Sequence, residues 1–566
     1  MTFKFSLKKL FYLTIIIFCL LFLTNNYRYS RHQPEIILLD IPFTEPVEQI
    51  KTINTQKITD LECANNTLWV KIDKYVFLKR SSFYYLIDYK LIRFYYVMNT
   101  YATFDMTVDV KAIHKRNRRV LKHLKKLTLF KNAFEYARGL YKVKIVDLDF
   151  DLNINDMENV ELYVKFYTSS LSTDFLNVNV KYLNITAKPL DPKKLPEVKK
   201  SSVVCSKIFY LNNLVDYDNM RWWLDLNLQI GHETISFYEN LIDMNYFQEI
   251  QSYIEFESFR CFPNFLKNRN SEYLNSLKEI TYRNVFSYAS TDIFNVQMTN
   301  ECYMRHGDKV KYVALIDNDE TIIPRLDKTY FTIEDFQLFM TNLKFDNFKQ
   351  IENNLKLVTC DRYDTKGHAM QSYLDELIDI YKYKNVKSLY FQQAFYLKND
   401  MVQEIFDLLE KKVEKMKNVS NDLIVLENKN AKSEYLSFNL TFKLENNIDL
   451  EYSKNLVKLY RNFAKPFIKN NKESFGKVSK NYQRFFALIS MRDNEFLMGK
   501  SIHTTDHTNP LCIHSLCGRR DKLVSFNHGH LSHFRGSFKF KNQVYSIRQI
   551  IFDLNYLNCF VKPLLK

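Results

Sequence analysis

Three acidic side chains, Asp317, Asp319 and Glu320, follow directly on a short apolar run at residues 312–316. Such a run is typical of a strand inside a sheet, and Pro324 ends regular structure soon after it. Ligands of open α/β sheets collect beyond the carboxyl ends of the strands. Two aspartates two positions apart offer hard oxygen ligands to Mg²⁺ or Mn²⁺, and these ions readily keep phosphate oxygens as further ligands. The spacing predicts a metal–diphosphate site, with a solvated turn or a helix N-cap as the alternative.

The amino terminus has the pattern of a membrane-targeting segment. Three lysines within residues 1–9 precede residues 10–24, which contain no charged side chain. This run is shorter than the roughly 20 residues of a typical spanning helix, but flanking residues extend it by snorkelling. Because no small-residue cleavage pattern follows, we expect an uncleaved signal anchor rather than a cleaved signal peptide. Residues 1–9 would then be cytosolic, residues 25–60 would form a stem, and the remainder would be lumenal.

The cysteines and the glycosylation sequons fit such a compartment. Cys19 lies within the apolar run, and the other eight cysteines all follow it, an even number suited to disulfide formation. Their pairing does not follow from the sequence. The Asn-x-Ser/Thr pattern, which accepts glycans in the secretory pathway, occurs at Asn65, Asn184, Asn418 and Asn439. We therefore expect a disulfide-bonded glycoprotein.

The composition indicates a folded protein of several domains. The chain has 566 residues, of which 46% are hydrophobic and 15% aromatic, enough for about two to four domains with sizeable cores. The formal net charge of +16 favours anionic partners. The chain contains no zinc finger, RNA-binding sheet motif or basic zipper, which argues against nucleic acid. We expect nucleotide diphosphates, anionic glycans or lipid headgroups instead.

The densest basic run, residues 115–126, has Val120, Leu121, Leu124 and Leu127 at helical spacing. This spacing predicts an amphipathic surface helix inserted into a β-rich region. Its basic face is either simply solvated or a binding patch.

The pattern of secondary structure changes near residue 187. Residues 61–186 contain many β-branched and aromatic runs, which predict a β-rich accessory domain. Prolines and lysines make residues 187–202 the expected linker. Over residues 203–566, strands and helices alternate, which predicts an α/β domain built on a parallel sheet. Its first predicted elements are strands at 202–210 and 233–238 and helices at 218–228 and 285–305.

A series of short motifs carries a family resemblance. In chain order they are Ser82-Phe-Tyr-Tyr, Leu91-Ile-Arg93, Val203-Val-Cys-Ser, Trp222-Trp223, Ile230-Gly231, Ile235-Ser-Phe-Tyr238, Asn300-Glu-Cys302, Leu315-Ile-Asp-Asn-Asp-Glu320, Gly499-Lys-Ser-Ile502 and His533-Phe-Arg535. Because these motifs occur in this order, the chain resembles glycosyltransferase family 92, also described as the DUF23 domain. The resemblance extends from about residue 70 to about residue 540. The resemblance implies a Rossmann-like GT-A fold, a nucleotide-sugar donor, a divalent metal and inversion at the anomeric carbon.

The resemblance also implies roles for individual residues. Asp317 and Asp319 match the family's Asp-x-Asp motif, with Asp319 as the implied direct Mn²⁺ ligand and Asp317 holding the ribose or the water shell of the metal. His533 is the implied third metal ligand, and Arg535 the residue that grips a phosphate. The family usually has tyrosine where this chain has Phe534.

Inversion further requires a carboxylate that deprotonates the acceptor hydroxyl. Three residues are candidates for this base. Glu320 adjoins the metal motif, while Asp361 and Asp364 lie in a plausible acceptor-side loop. The sequence does not choose between them.

A second cluster contains the ligand types of a zinc site, namely His503, His507, Cys512, His514 and Cys517. In an oxidising compartment, Cys512 and Cys517 are expected to form disulfides instead.

Taken together, these patterns predict an inverting glycosyltransferase that depends on Mn²⁺ or Mg²⁺. It is expected to be a single-pass type II protein of the Golgi membrane and to transfer a sugar from a UDP-sugar, with UDP-galactose as the expected donor, to a glycan or glycoprotein. The alternative is a lumenal glycan-binding protein that keeps the fold without turnover.

Overall fold

The computed structural model shows a mixed α/β protein with far more sheet than helix. The residues that the structure describes are 69–73, 76–99, 106–129, 133–138, 141–153, 159–168, 171–184, 201–209, 214–239, 247, 249–250, 254–258, 291–324, 369–380, 386–396, 402–403, 406–407, 410, 423–427, 439–444, 457, 460–461, 465–470, 478, 482, 484, 486–491, 499–512, 522–524, 528–534, 544–553 and 556–561. The predicted anchor at 10–24, the stem at 25–60 and the linker up to residue 200 lie outside them. None of the helices in the described ranges has the length and apolar character needed to cross a bilayer.

The amino-terminal strands form two mainly antiparallel sheets. Their bounds are β1 Trp69–Asp73, β2 Val76–Leu86, β3 Leu91–Asn99, β4 Thr107–His114, β5 Val120–Thr128, β6 Ala133–Arg138, β7 Tyr141–Asp149, β8 Val160–Tyr167, β9 Leu176–Val178 and β10 Val180–Leu183. A 3₁₀ turn at Ile87–Tyr89 joins β2 to β3. The first sheet has the strand order β1-β2-β3-β7-β6, with β10 parallel to β2, and the second has the order β5-β4-β8-β9. The predicted β-rich character of this region is therefore confirmed.

The two sheets pack face to face around one hydrophobic core. Phe83 and Phe94 of the first sheet stack with their ring centroids 5.0 Å apart, and Phe94 meets Phe166 of the second sheet edge-on at 6.0 Å. Val108 and Val110 alternate into the same core along β4. This period of two is the pattern of strands with one buried face.

The predicted basic helix is wrong, because the run forms a turn and strand β5. Two β-bulges explain the misleading spacing of its leucines. Val108 and Val110, two positions apart on β4, pair with Leu127 and Leu124, three positions apart on β5. The extra residue lets leucines spaced by three pack against the same core, as leucines on a helix face would. Lys126 lies in this bulge with a left-handed φ of 47° and donates its N–H to Asp109.

The remaining strands belong to one large sheet. The strand bounds are β11 Ser202–Phe209, β12 Thr234–Glu239, β13 Ile254–Ser258, β14 Tyr312–Leu315, β15 Glu320–Ile322, β16 Ser388–Tyr396, β17 Leu423–Glu427, β18 Asn439–Leu444, β19 Phe486–Met491, β20 Gly499–Thr504, β21 Lys522–Leu523, β22 Leu531–His533 and β23 Val544–Phe552. The helices are α1 Leu214–Ile230, α2 Thr291–His306, α3 Ala369–Ile380 and α4 Lys465–Asn470, followed by a π-helix at Tyr556–Val561.

One end of this sheet is parallel. The strands β13, β12, β11 and β14 lie side by side in that order, and every pairing among them is parallel. β11 has a parallel neighbour on each side: the chain continues to β12 on one side and later returns to β14 on the other. This change of direction opens a crevice at the carboxyl ends of the strands. The predicted strands at 202–210 and 233–238 and the helix at 218–228 are confirmed. The helix predicted at 285–305 is present as α2, although residues 285–290 lie outside the described part.

The first sheet is buried on both faces. Its second face, which includes Tyr84 and Tyr95, packs against Tyr303 and Met304 of α2 and against Leu315 of β14 in a shared core. Strands covered on both sides have continuous apolar runs instead of alternating ones. This explains why residues 83–86 are all buried.

A buried ion pair joins the two parts of the chain. Lys79 of β2 lies 2.7 Å from the carboxylate of Glu301 on α2, and both side chains are almost fully buried. Ser82 and Gln297 also donate to Glu301. Burial alone would raise the pKa of Glu301, but Lys79 and these two donors outweigh it and hold the pKa below its ordinary value. Next to this ion pair, the disulfide between Cys205 and Cys302 ties α2 to β11.

Because the ion pair is buried, replacing one partner is expected to cost more than replacing both. Lys79→Met should lower the free energy of unfolding by about 3–5 kcal/mol, since the Glu301 carboxylate then lacks its counter-charge. The double variant Lys79→Met, Glu301→Gln should recover more than half of that loss. Urea unfolding followed by circular dichroism measures both values. A double variant as unstable as the single one would contradict a role for charge pairing.

Candidate metal centre

The predicted acidic segment forms a tight turn at the carboxyl end of β14. The N–H of Glu320 donates to the carbonyl of Asp317 at 3.0 Å, and the N–H of Asp317 donates back to the Glu320 carboxylate, also at 3.0 Å. These reciprocal bonds close residues 317–320 into a fixed loop. β14 lies next to β11, so the turn sits beside the crevice of the parallel strands.

Strand pairing brings a histidine to this turn from far along the chain. The short strands β15 and β22 are antiparallel, with Glu320 directly opposite His533. The N–H of Phe534 donates to the carbonyl of Asp319 at 2.8 Å, which continues the ladder into the turn. As a result, His533 Nε2 lies 3.3 Å from Asp319 Oδ2, although the two residues are 214 positions apart.

Asp319, Glu320 and His533 can converge on one ion. One potential ligand atom from each residue lies within 4.8 Å of the other two. Within the described residues, no other group of histidine, cysteine and acidic side chains has that geometry. Two carboxylates and one imidazole form a mixed oxygen and nitrogen set, which suits Mn²⁺ better than Mg²⁺ because Mg²⁺ prefers oxygen ligands throughout.

The ring of His533 is held from its other side. Gln393 of β16 contacts His533 Nδ1 through its side-chain amide. The amide nitrogen faces Nδ1; with the amide turned over, its oxygen accepts from Nδ1–H, and Nε2 then keeps a lone pair that faces Asp319. Such an outer contact fixes the ring and its tautomer in metal sites. Phe395, two residues along β16, packs against the same imidazole with ring centroids 5.6 Å apart.

Asp317, the first aspartate of the predicted pair, lies beside a buried lysine. Its carboxylate lies 3.2 Å from the ammonium group of Lys500, which is 3.8 Å from Glu320. Lys500 is almost fully buried on β20. Lys500 is held in this position because β20 approaches β16 closely at Gly499. A Cβ on Gly499 would lie 2.1 Å from the Phe391 carbonyl oxygen, so only glycine fits.

Glu320 is buried and therefore costly to ionise. Burial raises the pKa of its carboxyl group, and the neighbouring Asp317 and Asp319 raise it further, whereas Lys500 and His533 oppose the shift. Its backbone carbonyl accepts the indole N–H of Trp223 at 2.8 Å. This burial and these contacts favour a role in shaping the turn or holding a cation over that of a base that meets an acceptor.

Buried aromatic residues support the turn and β22. The hydroxyl of Tyr482 donates to the carbonyl of Asn318 at 3.1 Å, so it braces the middle of the turn. The ring of Phe534 is fully buried between Tyr396, Tyr482 and Tyr556, with centroid distances of 4.5–5.1 Å. Phenylalanine at this position therefore fills a buried aromatic cluster.

Sequence reasoning did not assign roles to Lys500, Gln393, Tyr482 or Trp223 at this site. Lys500 and Trp223 stood within motifs that carry the resemblance, but nothing in their spacing linked them to the acidic turn. Gln393 and Tyr482 gave no signal in the sequence. The base candidates Asp361 and Asp364 and the phosphate-binding candidate Arg535 lie outside the described residues.

The second cluster of candidate ligands does not form a zinc site within the described residues. Cys512 is disulfide-bonded, as is Cys559, so Cys512 offers no thiolate to a metal. His514 and Cys517 lie outside the described part. His507 donates from Nε2 to the carbonyl of Lys387 and accepts at Nδ1 from Asn509 N–H, both at 3.2 Å. These two bonds select a neutral imidazole with a structural role.

No protein-family model matches the chain, and no curated protein matches it. The geometry of the candidate metal centre therefore carries the functional argument.

The buried neutral imidazoles should make the protein less stable in acid. Burial lowers the pKa of His507 to about 4 and that of His503 well below its ordinary value. Between pH 6.5 and about 4, His507 binds a proton in the unfolded chain but not in the folded protein. The free energy of unfolding is therefore at its full value above pH 6.5 and falls as the pH drops. For His507 alone the loss at pH 4 should be about 3 kcal/mol.

Urea unfolding of the parent and of His507→Asn at pH 7 and pH 4 tests this. The variant should lose about 3 kcal/mol less than the parent between the two pH values. Lys309→Asn, at an exposed position, is the control and should track the parent. An unchanged pH dependence in His507→Asn would show that this imidazole does not titrate as its burial demands.

Proposed function

We propose that this protein is a metal-dependent, inverting glycosyltransferase with a GT-A fold. In this proposal it transfers a sugar, galactose by the family resemblance, from a UDP-sugar to a glycan. One observation carries the proposal. An acidic turn at the carboxyl end of a parallel strand meets an imidazole delivered by the pairing of β15 and β22. Such a cation site suits an enzyme that uses a nucleotide sugar, because a bound cation stabilises the negative charge that develops on a diphosphate leaving group.

Asp319, Glu320 and His533 are the residues that would hold the ion. Their donor types fit Mn²⁺, which accepts both carboxylate and imidazole ligands. When bound, the ion supplies positive charge that stabilises the departing nucleotide diphosphate. Its binding is expected to be favoured at higher pH, because the buried carboxyl group of Glu320 must lose its proton.

Lys500 and Asp317 have a separate task in this proposal. The ammonium group of Lys500 offsets part of the negative charge that Asp317 and Glu320 place in a buried environment. Without it, three carboxylates in one turn would repel each other and favour protonation. Asp317 remains at the rim of the turn, where it can hold the ribose hydroxyls of the donor. Arg535, two residues after His533 in sequence, is the proposed partner of a phosphate oxygen.

The base that deprotonates the acceptor is proposed to come from Asp361 or Asp364. Glu320 is disfavoured because its carboxylate is engaged with the Asp317 N–H and is fully buried. A general base must reach the hydroxyl that it deprotonates, directly or through one water.

The cellular setting is part of the same proposal. The disulfides at Cys205, Cys302, Cys512 and Cys559 support an oxidising compartment. With the charge-free segment at residues 10–24, they support a single-pass Golgi membrane protein with a lumenal body.

Turnover of a UDP-sugar panel by the full-length protein tests the function. We expect transfer or slow donor hydrolysis with Mn²⁺ and none with a chelator. Asp319→Asn should lower the rate by at least about 100-fold, because it removes a cation ligand that acts on the leaving group. Asp506→Asn, an equal change of charge at an exposed residue, should leave the rate within about twofold of the parent.

Two results would overturn the proposal. One is turnover that persists in chelator or in Asp319→Asn. The other is the absence of any turnover together with glycan binding that Asp319→Asn does not alter, which would favour the non-catalytic glycan-binding protein.

A further inference from the structure

The hairpin of β4 and β5 carries a strong positive charge that the metal centre does not use. Residues 107–128 contain eight lysines and arginines but a single acidic residue. The residues of the tip, 115–120, are all exposed. We call this structure, residues 107–128, the basic hairpin.

As a hairpin, the run spreads its cations from the turn into β5. β5 is an edge strand that pairs, among the described strands, only with β4. An extended strand rises about 3.3 Å per residue, so β5 from Val120 to Lys126 spans about 20 Å, and Arg119 directly precedes it. A helix of the same sequence would have spread the cations over roughly 10 Å and around its axis. Lysines on an edge strand also hinder aggregation, but that purpose does not require the arginines of the turn.

The nearby acidic groups are already engaged by other partners. Glu161 accepts from Arg118 at 2.5 Å and from Tyr163 at 2.8 Å. Asp109 accepts from the Lys126 N–H at 2.6 Å and from Tyr167 at 2.9 Å. In the described part of the chain, no ion pair involves the exposed Arg116, Arg119 or Lys125, whose charges therefore face solvent.

The aromatic rings of the adjoining sheet face are covered by the protein's own cations. Lys111 Nζ lies 3.8 Å from the ring centroid of Phe175, and the Arg118 guanidinium lies 5.7 Å from that of Tyr163. These rings are not open for stacking by a base or a sugar. Recognition at this surface is thus by charge, and the contacts hold the cations in place beforehand.

We propose that the basic hairpin binds a linear anionic polysaccharide through Arg116, Arg119 and Lys125. Cations spread from the turn at Arg116 through Arg119 to Lys125 of β5 match a chain of sulfate or carboxylate groups, and arginine binds such groups bidentately. The disulfide between Cys205 and Cys302 points to an oxidising compartment, where polyanions are glycans rather than nucleic acids. A membrane surface fits less well, since the tip exposes the small Val120 and no aromatic side chain.

Fluorescence anisotropy with a labelled heparin dodecasaccharide tests the proposal on the full-length protein at about 0.15 M salt. The parent should bind saturably. The triple variant Arg116→Gln, Arg119→Gln, Lys125→Gln should weaken binding at least about tenfold and reduce its salt dependence, because three contacts that release counterions are lost. The matched control, Lys309→Gln, Lys465→Gln, Lys469→Gln, removes the same charge from exposed positions elsewhere and should change Kd by less than about twofold.

Equal weakening by the two triple variants would overturn the proposal, since it would show a response to net charge alone. So would a parent that does not bind heparin. Tighter binding to phosphatidylserine vesicles or to single-stranded RNA than to heparin, removed by the hairpin variant, would assign the surface to those partners instead. Sugar transfer is measured separately, so a failure here leaves the proposed activity unaffected, and the converse also holds.

Discussion

The candidate site depends on the antiparallel pairing of β15 with β22. Only three residue pairs form this ladder, yet it sets Glu320 opposite His533 and leads Phe534 N–H to the Asp319 carbonyl. Each of these backbone bonds fixes a side chain relative to the acidic turn. If the register slipped by one residue, His533 would point to the other face of the sheet and the three ligand types would no longer meet.

The rest of the fold protects this ladder from such a slip. β22 also pairs with β16, which supplies Gln393 to the far side of the histidine ring. Phe534 anchors the end of β22 in a buried aromatic cluster. On the other side, Lys500 and the indole of Trp223 hold the acidic turn. A partly buried turn with three carboxylates is electrostatically costly, so its persistence requires these compensating contacts.

The sequence was sufficient to predict those strands and helices whose apolar residues follow one regular spacing along the whole element. The strand at 312–316 and the helix at 218–228 are continuous or regular patterns, and both are present as β14 and α1. The helix predicted for residues 115–126 was wrong because β-bulges increase the spacing of core-facing residues on β5 from two positions to three. Over a short window, this spacing imitates that of a helix. The meeting of Asp319 with His533 was expected from the family resemblance alone. Local patterns carry no information on contacts 214 residues apart.

Whether His533 binds the metal is the most direct test of this account. Pulsed electron paramagnetic resonance on Mn²⁺-loaded protein detects nitrogen atoms bonded to the ion. We expect modulation from one imidazole nitrogen, which changes to that of ¹⁵N when histidine is ¹⁵N-labelled and disappears in His533→Asn but not in His530→Asn. Bound Mn²⁺ with oxygen ligands only, or a nitrogen signal that survives in His533→Asn, would contradict the account.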